Sequence, residues 1–429
     1  MKKVAFYTLG CKVNQYETDA MRELFVVADY EVVDFNDYAD IYVINTCTVT
    51  AHSDKKSRQI INKARRNNEN SKIVVTGCMA EEMKQQKVAI DGVDYILGNE
   101  ERKNIINILE TDEENEFKDI AKCTEFWEAG KILSQERTRA YIKIEDGCNN
   151  FCTYCIIPYV RGRVRSRDRE NIIDEVKRVL KSGVHEIVLI GIHLASYGKD
   201  LEGITLVDVI EEINAIEGDF RIRLGSLEPV FINTTNVERL KKCEKLCKHF
   251  HLSLQSGMDD TLKRMNRRYT TGEFREKVNL LRENFEDVAI TTDIIVGFPG
   301  ETEAEFEKTY EFLKEINLSK LHVFPYSKRA GTVAEKMEGQ VPEDIKNIRA
   351  AKLIELSEKQ EEEFKHKFIG KTMKVILERR EKDGYRMGYN EQYVSVMVFG
   401  KDAGDVVEVV GTEENLEIKN TKKKCKNDL

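Results

Sequence analysis

From Ala140 onward the chain repeats one unit, an apolar strand followed by an amphipathic helix, for six rounds. The strands are AYIKIE, EIVLIGIHL, FRIRLGSL, HFHLSLQ, AITTDIIVGF and KLHVFPY, and helices such as NIIDEVKRVLKSG, LVDVIEEINAI and EFREKVNLLREN stand between them. Parallel neighbours need a crossover connection, so this alternation dictates a parallel sheet, and six units predict an α/β partial (βα)6 barrel. Chemistry in such a barrel collects where the strands end at their carboxyl edge. The loop after the first strand, EDGCNNFCTYCIIPYVRGRVRSRDR, carries Cys148, Cys152 and Cys155 at Cys-x3-Cys-x2-Cys spacing. Arginine then recurs at every second position from Arg161 to Arg169.

Three thiolates on a tight loop suit a soft metal centre. A structural zinc site draws four protein ligands, often as two Cys-x2-Cys pairs, whereas an iron–sulfur cluster takes thiolates and tolerates fewer. The spacing therefore favours a cluster with one open iron; a zinc loop and three unrelated buried thiols are the plainer readings. The arginine run reads as a polyanion contact, or else as a charged face in water.

The remaining strand ends offer polar groups: Gly191, His193 and Ser196, then Ser226 and Glu228, then Ser253, Gln255 and Gly257, then Asp293 and Gly297. A glycine allows a cofactor to approach the backbone, and hydroxyl or carboxylate groups hold a ribose or an ammonium. His193 reads more readily as a structural histidine than as a catalytic one. Cys243 and Cys247, one helical turn apart, have no third ligand near them and read as structural.

Ahead of the barrel, KVAFYTL, YEVVDF, DIYVINTC and KIVVTGC alternate with helical stretches, NQYETDAMRELF, a long polar helix from about Ser53 to Arg66, and AEEMKQQ. This predicts a doubly wound parallel α/β domain over residues 1–120, with the barrel domain at 136–366. Cys11, Cys47 and Cys78 each fall just past a strand's carboxyl end, and in an open parallel sheet those ends share one edge. We read a second three-thiolate site there, against the alternative of ordinary small apolar residues at strand ends.

After a charged helix from about Glu343 to Lys367 the period changes at Ile369 and Gly370. KTMKVILERR, GYRMGYN, YVSVMVFG and DVVEVVGTEENLEI predict a small all-β barrel over residues 369–429. Tyr385, Tyr389 and Tyr393 offer stacking platforms for bases, and Arg379, Arg380 and Arg386 offer phosphate contacts; core aromatics and solvated arginines are the bland equivalents. The acidic stretch Thr111 to Asp119 reads as a linker, the KKKCK string at Lys422 to Lys426 as a frayed tail, and Cys123 and Cys425 receive no role.

Composition narrows the function classes. With 41% hydrophobic and 34% charged residues the chain is that of a soluble globular protein, and no run approaches the roughly 20 apolar residues of a membrane span. Polar residues follow the first apolar run too soon for a secretory signal, so the cytoplasm is expected. Ten cysteines in a reducing compartment speak for ligands or catalysis rather than disulfides. A net charge of −8 leaves nucleic-acid binding to local patches. No triad, paired-carboxylate or P-loop pattern supports a hydrolase.

The strings TLGCKVNQYETDA, NTCTVT and TGCMAE, together with the Cys-x3-Cys-x2-Cys loop, resemble the radical S-adenosylmethionine (SAM) methylthiotransferases. The texts GCKVNQYET and IGIHLASYGKDL, the latter with Ile190 in place of Thr, are most similar to the branch that acts on N6-threonylcarbamoyladenosine in tRNA. Sister branches act on isopentenyladenosine in tRNA and on an aspartate of ribosomal protein S12; the last usually reads GCPKN where this chain has GCKVN.

The resemblance implies two [4Fe-4S] clusters and SAM as cofactors. Cys148, Cys152 and Cys155 would hold the cluster that cleaves SAM to a 5′-deoxyadenosyl radical, and Cys11, Cys47 and Cys78 an auxiliary cluster that carries the sulfur. Tyr154 would abut the adenine of SAM, with Gly191, His193, Ser226, Glu228, Ser253, Gln255, Asp293 and Gly297 lining its site. The carboxyl-terminal unit resembles the RNA-binding TRAM module. The implied partners are the tRNA anticodon stem-loop, touched by Arg161, Arg163, Arg165, Arg379, Arg380 and Tyr385, a low-potential electron donor of flavodoxin or ferredoxin type, and a sulfur source. The implied reaction is addition of a methylthio group to C2 of the modified adenosine beside the anticodon. A zinc-dependent RNA-binding protein without catalysis is the rival reading from another class.

Overall fold

The computed structural model describes residues 1–48, 51–111, 118–128 and 138–418, and at 51–54 the backbone alone. Most of the expected acidic linker, the Lys422–Lys426 string and Cys425 lie outside the described residues.

The first sheet is all parallel: β1 (Lys3–Thr8), β2 (Glu31–Val33), β3 (Ile41–Thr46), β4 (Lys72–Gly77) and β5 (Tyr95–Ile96), in the order β2-β1-β3-β4-β5. Successive strand residues face opposite sides, so Val4 and Phe6 enter one apolar layer while Ala5, Tyr42 and Ile44 enter the other. Strand order reverses between β1 and β3, the switch point of a doubly wound sheet. Thr8 pairs with Asn45 and Thr46 with Gly77, so the three cysteine-bearing ends stand level. β5, two residues long, has no clear period in the sequence and was not expected.

The second unit contains β6 (Ala140–Lys143), a short antiparallel hairpin of β7 (Glu145–Asp146) and β8 (Arg165–Ser166), then β9 (Glu186–Ile190), β10 (Arg221–Leu224), β11 (His249–His251), β12 (Ala289–Val296) and β13 (Lys320–Pro325). Two parallel triplets, β6-β9-β10 and β11-β12-β13, join through the bridges Ile222–Leu246 and Leu227–Leu252 into the expected six-stranded partial barrel. Ile187, Leu189, Ile222, Leu224, Phe250, Leu252, Ile290 and Ile294 face the surrounding helices and form the main core. The alternate residues of the same strands face inward, and many are polar: Lys143, Glu186, Arg223, His249, His251, Thr291 and Asp293. The helix Lys12–Val27 of the first unit covers part of this inner face, packing Val13, Tyr16 and Ala20 on Tyr141, Val188 and Ile190.

The long helix Glu343–His366 leads into β14 (Thr372–Lys382), β15 (Tyr385–Tyr389), β16 (Ser395–Phe399) and β17 (Val406–Val410), antiparallel in the order β16-β15-β14-β17. The expected closed barrel is corrected here. Among the described residues β16 and β17 do not pair with each other, and the unit is a half-barrel closed over Phe364, Phe368, Val375, Leu377, Val396 and Leu416. It is clamped to the barrel by arginines. Arg223 donates to the carbonyls of Asn390 (3.0 Å) and Glu391 (3.0 Å), Arg221 donates to that of Tyr389 (2.8 Å), and both guanidiniums share buried Glu186. No helix among the described residues is long and apolar enough to cross a membrane.

Candidate active site

The first thiol trio is assembled by strand ends and one asparagine. Asn14 Nδ2 donates to the carbonyls of Leu9 (2.8 Å) and Thr46 (3.0 Å), tying the end of β1 to the end of β3. Gly10, at φ +102°, leaves no room for a side chain: a Cβ would stand 2.8 Å from Cys47 Cβ and 3.0 Å from its Sγ. Cys78 opens the helix Cys78–Gln86 and packs against Ile156 and Val160 of the barrel loop. Burial pushes the Cys78 thiol up to about 12; the Arg161 guanidinium opposes that shift, and Cys47 and Cys11 add to it.

The barrel loop builds the second trio. The Asn150 amide donates to Cys148 Sγ (3.5 Å) and Arg267 Nη1 to Cys152 Sγ (3.3 Å). Burial pushes the Cys148 and Cys155 thiols up to about 12 each. Tyr154 lies edge-on to Phe298 at 6.3 Å, in an apolar pocket with Met265 and Tyr326. The ends of several strands then close into a ring of contacts: Asn150 Nδ2 donates to His193 Nε2 (2.9 Å), His193 Nε2 is 3.6 Å from Glu228, and Glu228 accepts two bonds from Arg267 (2.8 and 2.7 Å). Burial opposes ionisation of Glu228, but the His193 and Arg267 contacts outweigh it and hold the carboxyl below its ordinary range. Ser253 gives its carbonyl to Arg267 (3.1 Å), and Gln255, at φ +75°, links β12 through Asp293 and Ile295. Arg267 escaped the sequence reading because it lies in a helix-to-helix loop, KRMNRRYT, without periodic signal.

Two glycines serve another purpose than the expected one. A Cβ on Gly191 would meet Glu145 Oε2 at 2.7 Å, and one on Gly297 would collide with the stem of Lys346. Both are small because protein side chains already fill that space.

The arginine run is the larger correction. Arg161, Arg165 and Arg167 are buried, while Arg163 and Arg169 are exposed. Arg161 donates to Glu17 (2.8 and 2.9 Å), Asp146 (3.1 Å) and Asn14 (2.6 Å), so it spans from the barrel loop to the thiol-bearing edge of the first sheet. Glu17 also receives both Nη atoms of Arg102 (2.7 Å each) and Lys143 (2.7 Å), and Asp146 pairs with Lys143 (2.7 Å) and Arg165 (3.5 Å). Arg167 pairs with buried Glu175 and with Glu128 (2.7 Å). Buried carboxylates therefore claim Arg161 and Arg165, which cannot hold RNA phosphates from there. Tyr389, half-buried, and Tyr393, exposed, stack on each other at 4.5 Å with the guanidiniums of Arg139 (5.3 Å from each) and Arg223 (4.8 Å from Tyr393) on their faces. Arg386 is held by Glu381 (2.6 Å) and the Lys401 carbonyl (2.8 Å). Arg379, Arg380 and Tyr385 remain exposed.

The donor chemistry fits iron–sulfur clusters. Both trios are all thiol, which suits soft iron–sulfur chemistry, and among the described residues no three His, Cys, Asp or Glu groups converge at the short range one ion needs. Lys143, Arg102, Arg161 and Arg165 face only Glu17 and Asp146, and Arg161 places this positive surplus beside Cys78. A thiolate-bound anionic core is stabilised by such charge, as Cys152 is by Arg267. Cys243 and Cys247 are buried in the core as expected, their thiols pushed up to about 11 by burial.

A model of the radical SAM superfamily matches residues 142–313, and one described as "Uncharacterized protein family UPF0004" matches residues 3–98. A threonylcarbamoyladenosine tRNA methylthiotransferase MtaB of Bacillus subtilis is 43% identical, covering 95% of this chain and 93% of the relative. The MtaB of Aquifex aeolicus is 41% identical, covering 95% and 100%. A tRNA-2-methylthio-N(6)-dimethylallyladenosine synthase of Clostridium tetani is 36% identical, covering 88% and 85%. Among solved structures, the radical S-adenosylmethionine methyltransferase TsrM of Kitasatospora setae aligns at TM-score 0.55 and 14% identity over 75% of this chain and 73% of that one, a likeness of fold alone. With relatives of such identity along nearly its whole length, the chain belongs to the threonylcarbamoyladenosine tRNA methylthiotransferase family of radical SAM enzymes.

Proposed function

We propose that this protein adds a methylthio group to C2 of N6-threonylcarbamoyladenosine at position 37 of tRNA, with SAM as both methyl donor and radical source. The observation that carries the proposal is the joining of two all-thiol trios, Cys11–Cys47–Cys78 and Cys148–Cys152–Cys155, on strand-end edges of two domains that Arg161 ties together. Isopentenyladenosine and a ribosomal protein are weaker readings, since the relatives named for the threonylcarbamoyl branch are the more similar.

In this reading a [4Fe-4S] cluster on each trio supplies, at one, the electron that cleaves SAM and, at the other, the site of sulfur delivery. The chain does the positioning. Tyr154 and Phe298 give an apolar wall for the adenine of SAM, and Glu228, His193, Ser226, Ser253, Gln255 and Asp293 offer polar groups on the adjoining strand ends. Arg267 orients Glu228 and donates to Cys152 Sγ. Inert aromatic C–H chemistry then needs the target base held at a fixed place, which a flipped-out anticodon-loop nucleotide permits. The electron donor, of flavodoxin or ferredoxin type, and the sulfur source are separate partners, and the setting is the cytoplasm.

Exposed Arg379, Arg380, Lys382 and Tyr385 line a groove of about 670 Å³ on the half-barrel, and we assign the anticodon stem-loop to it, as in a TRAM-like module. Exposed Arg163, over the Phe151 ring at 4.6 Å, is the one member of the RNA-contact trio Arg161, Arg163 and Arg165 left free for RNA. Replacing Arg379 and Arg380 together with alanine is expected to weaken tRNA binding and lower the slope of log K against log salt by about two. Binding titrations at several salt concentrations check this. The function itself is tested by mass spectrometry of tRNA nucleosides from a deletion strain: 2-methylthio-threonylcarbamoyladenosine should disappear and return with the wild-type gene, and its persistence would refute the assignment.

A further inference from the structure

Inside the partial barrel lies a cavity of about 690 Å³, a size that holds a nucleobase with its substituent. It runs from Ser226 and Asp293 at the strand ends to Tyr389 and Tyr393 of the half-barrel. A barrel interior is normally filled by branched apolar side chains. Here His251, Thr291 and His322 face open space instead. The groove assigned to RNA shares Met387, Tyr389 and Glu417 with this cavity, so the surface and the interior are continuous.

Lys12 enters the cavity from the first domain, one residue after Cys11. Lys12 is exposed where it lines this cavity, within electrostatic reach of Tyr393, Arg139, Arg223 and Glu186. Three of the nearby carboxylates, Glu186, Asp293 and Glu361, have claimants, whereas Glu417, which also lines the cavity, makes no ion pair among the described residues. Glu186 is shared by Arg139 (3.7 Å), Arg221 (2.5 Å) and Arg223 (2.8 Å), Asp293 is 3.3 Å from His251, and Glu361 is 2.9 Å from Lys320. Lys12 makes no hydrogen bond and no ion pair among the described residues. A cavity-lining ammonium that has no ion pair of its own and stands beside the guanidiniums of Arg139 and Arg223 suits an anionic ligand.

We infer that Lys12 receives the carboxylate of the N6-threonylcarbamoyl substituent in this cavity, with His251, His322 and Thr291 facing its hydroxyl and carbamoyl groups. The inference rests on the function proposed above and deepens it by naming the residue that selects the substrate. An apolar N6 substituent leaves the Lys12 ammonium desolvated and unmatched, a penalty that discriminates against it.

The test uses the cluster-loaded enzyme and synthetic anticodon stem-loops carrying threonylcarbamoyladenosine or its carboxylate methyl ester. Wild-type affinity should fall about tenfold on esterification, the scale of one charged hydrogen bond. Lys12→Met should weaken the acid RNA about tenfold and leave the ester RNA unchanged, and Lys12→Arg should restore most of the difference. Iron content and melting temperature are measured for each variant. Equal wild-type affinity for acid and ester overturns the inference without any variant, and so does a Lys12→Met loss that is equal for both RNAs. Absence of methylthio product from the acid RNA with the wild-type enzyme refutes the functional reading instead, which keeps the two failures apart.

Discussion

Cys148→Ala is expected to abolish both 5′-deoxyadenosine release and methylthio transfer, whereas Cys11→Ala should abolish methylthio transfer and leave 5′-deoxyadenosine release in place. The two outcomes differ because the trios stand on different sheets, and each would hold its own cluster. Outer partners of a metal site are typically worth 10- to 100-fold, so loss of a ligand should exceed about 100-fold in the step it serves. Quantifying both products in single-turnover assays with anaerobically loaded enzyme checks this. If Cys11→Ala retains methylthio transfer, the auxiliary role of the first trio is wrong.

The second large effect is on stability. Glu17 is fully buried and accepts from Arg102, Arg161 and Lys143 at 2.7–2.9 Å. Glu17→Ala strands buried Arg102 and leaves Lys143 and Arg161 with Asp146 alone, and removal of one partner from such a cluster costs about 3–5 kcal/mol. Chemical denaturation should show that loss, with the first and second units separating into two transitions. Acid supplies an independent check. Burial alone would raise the Glu17 carboxyl, but the three cations outweigh it and hold the folded-state value well below the ordinary range. The folded pKa is thus depressed below the unfolded value of about 4.3, so the stabilisation is complete above that pH and is lost as the pH falls toward the folded value. Wild-type stability should drop steeply below about pH 4.3, and Glu17→Gln should flatten that part of the profile.

The parallel sheets and the placement of six cysteines at strand ends and on the barrel loop were legible because each rests on local signals: an apolar run, a helical period and a thiol just past the strand end. The fate of the arginine run was not. Alternation along Arg161 to Arg169 looks the same whether the inward residues meet water, RNA or carboxylates, and the deciding partner, Glu17, sits in another domain. Lys12, Arg267 and the inner face of the barrel were missed for different reasons. The strands RIRL and HFH do alternate polar with apolar residues, and read at period two they would have marked Arg223, His249 and His251 as lining an interior rather than a core. Arg267 lies in a loop with no such period. The carboxyl-terminal unit was legible as a small all-β unit, but strand count and turns carry no information on whether the outer strands meet, so its half-barrel form was not.

The span covered by Arg161 also bears on how the molecule is made. Arg161 lies 144 residues beyond Glu17 and 147 beyond Asn14. The first sheet, with all three of its thiols, is complete at Ile96, 65 residues before Arg161, so at ribosomal speeds of about 5–20 residues per second it precedes the guanidinium by roughly 3–13 seconds. During that interval Glu17 can meet Arg102 and then Lys143, and the edge holding Cys78 lacks the Arg161 guanidinium that later faces it. Maturation is thereby ordered in time: the amino-terminal thiols become a finished receptor for an inorganic core only after the barrel loop has been synthesised and docked.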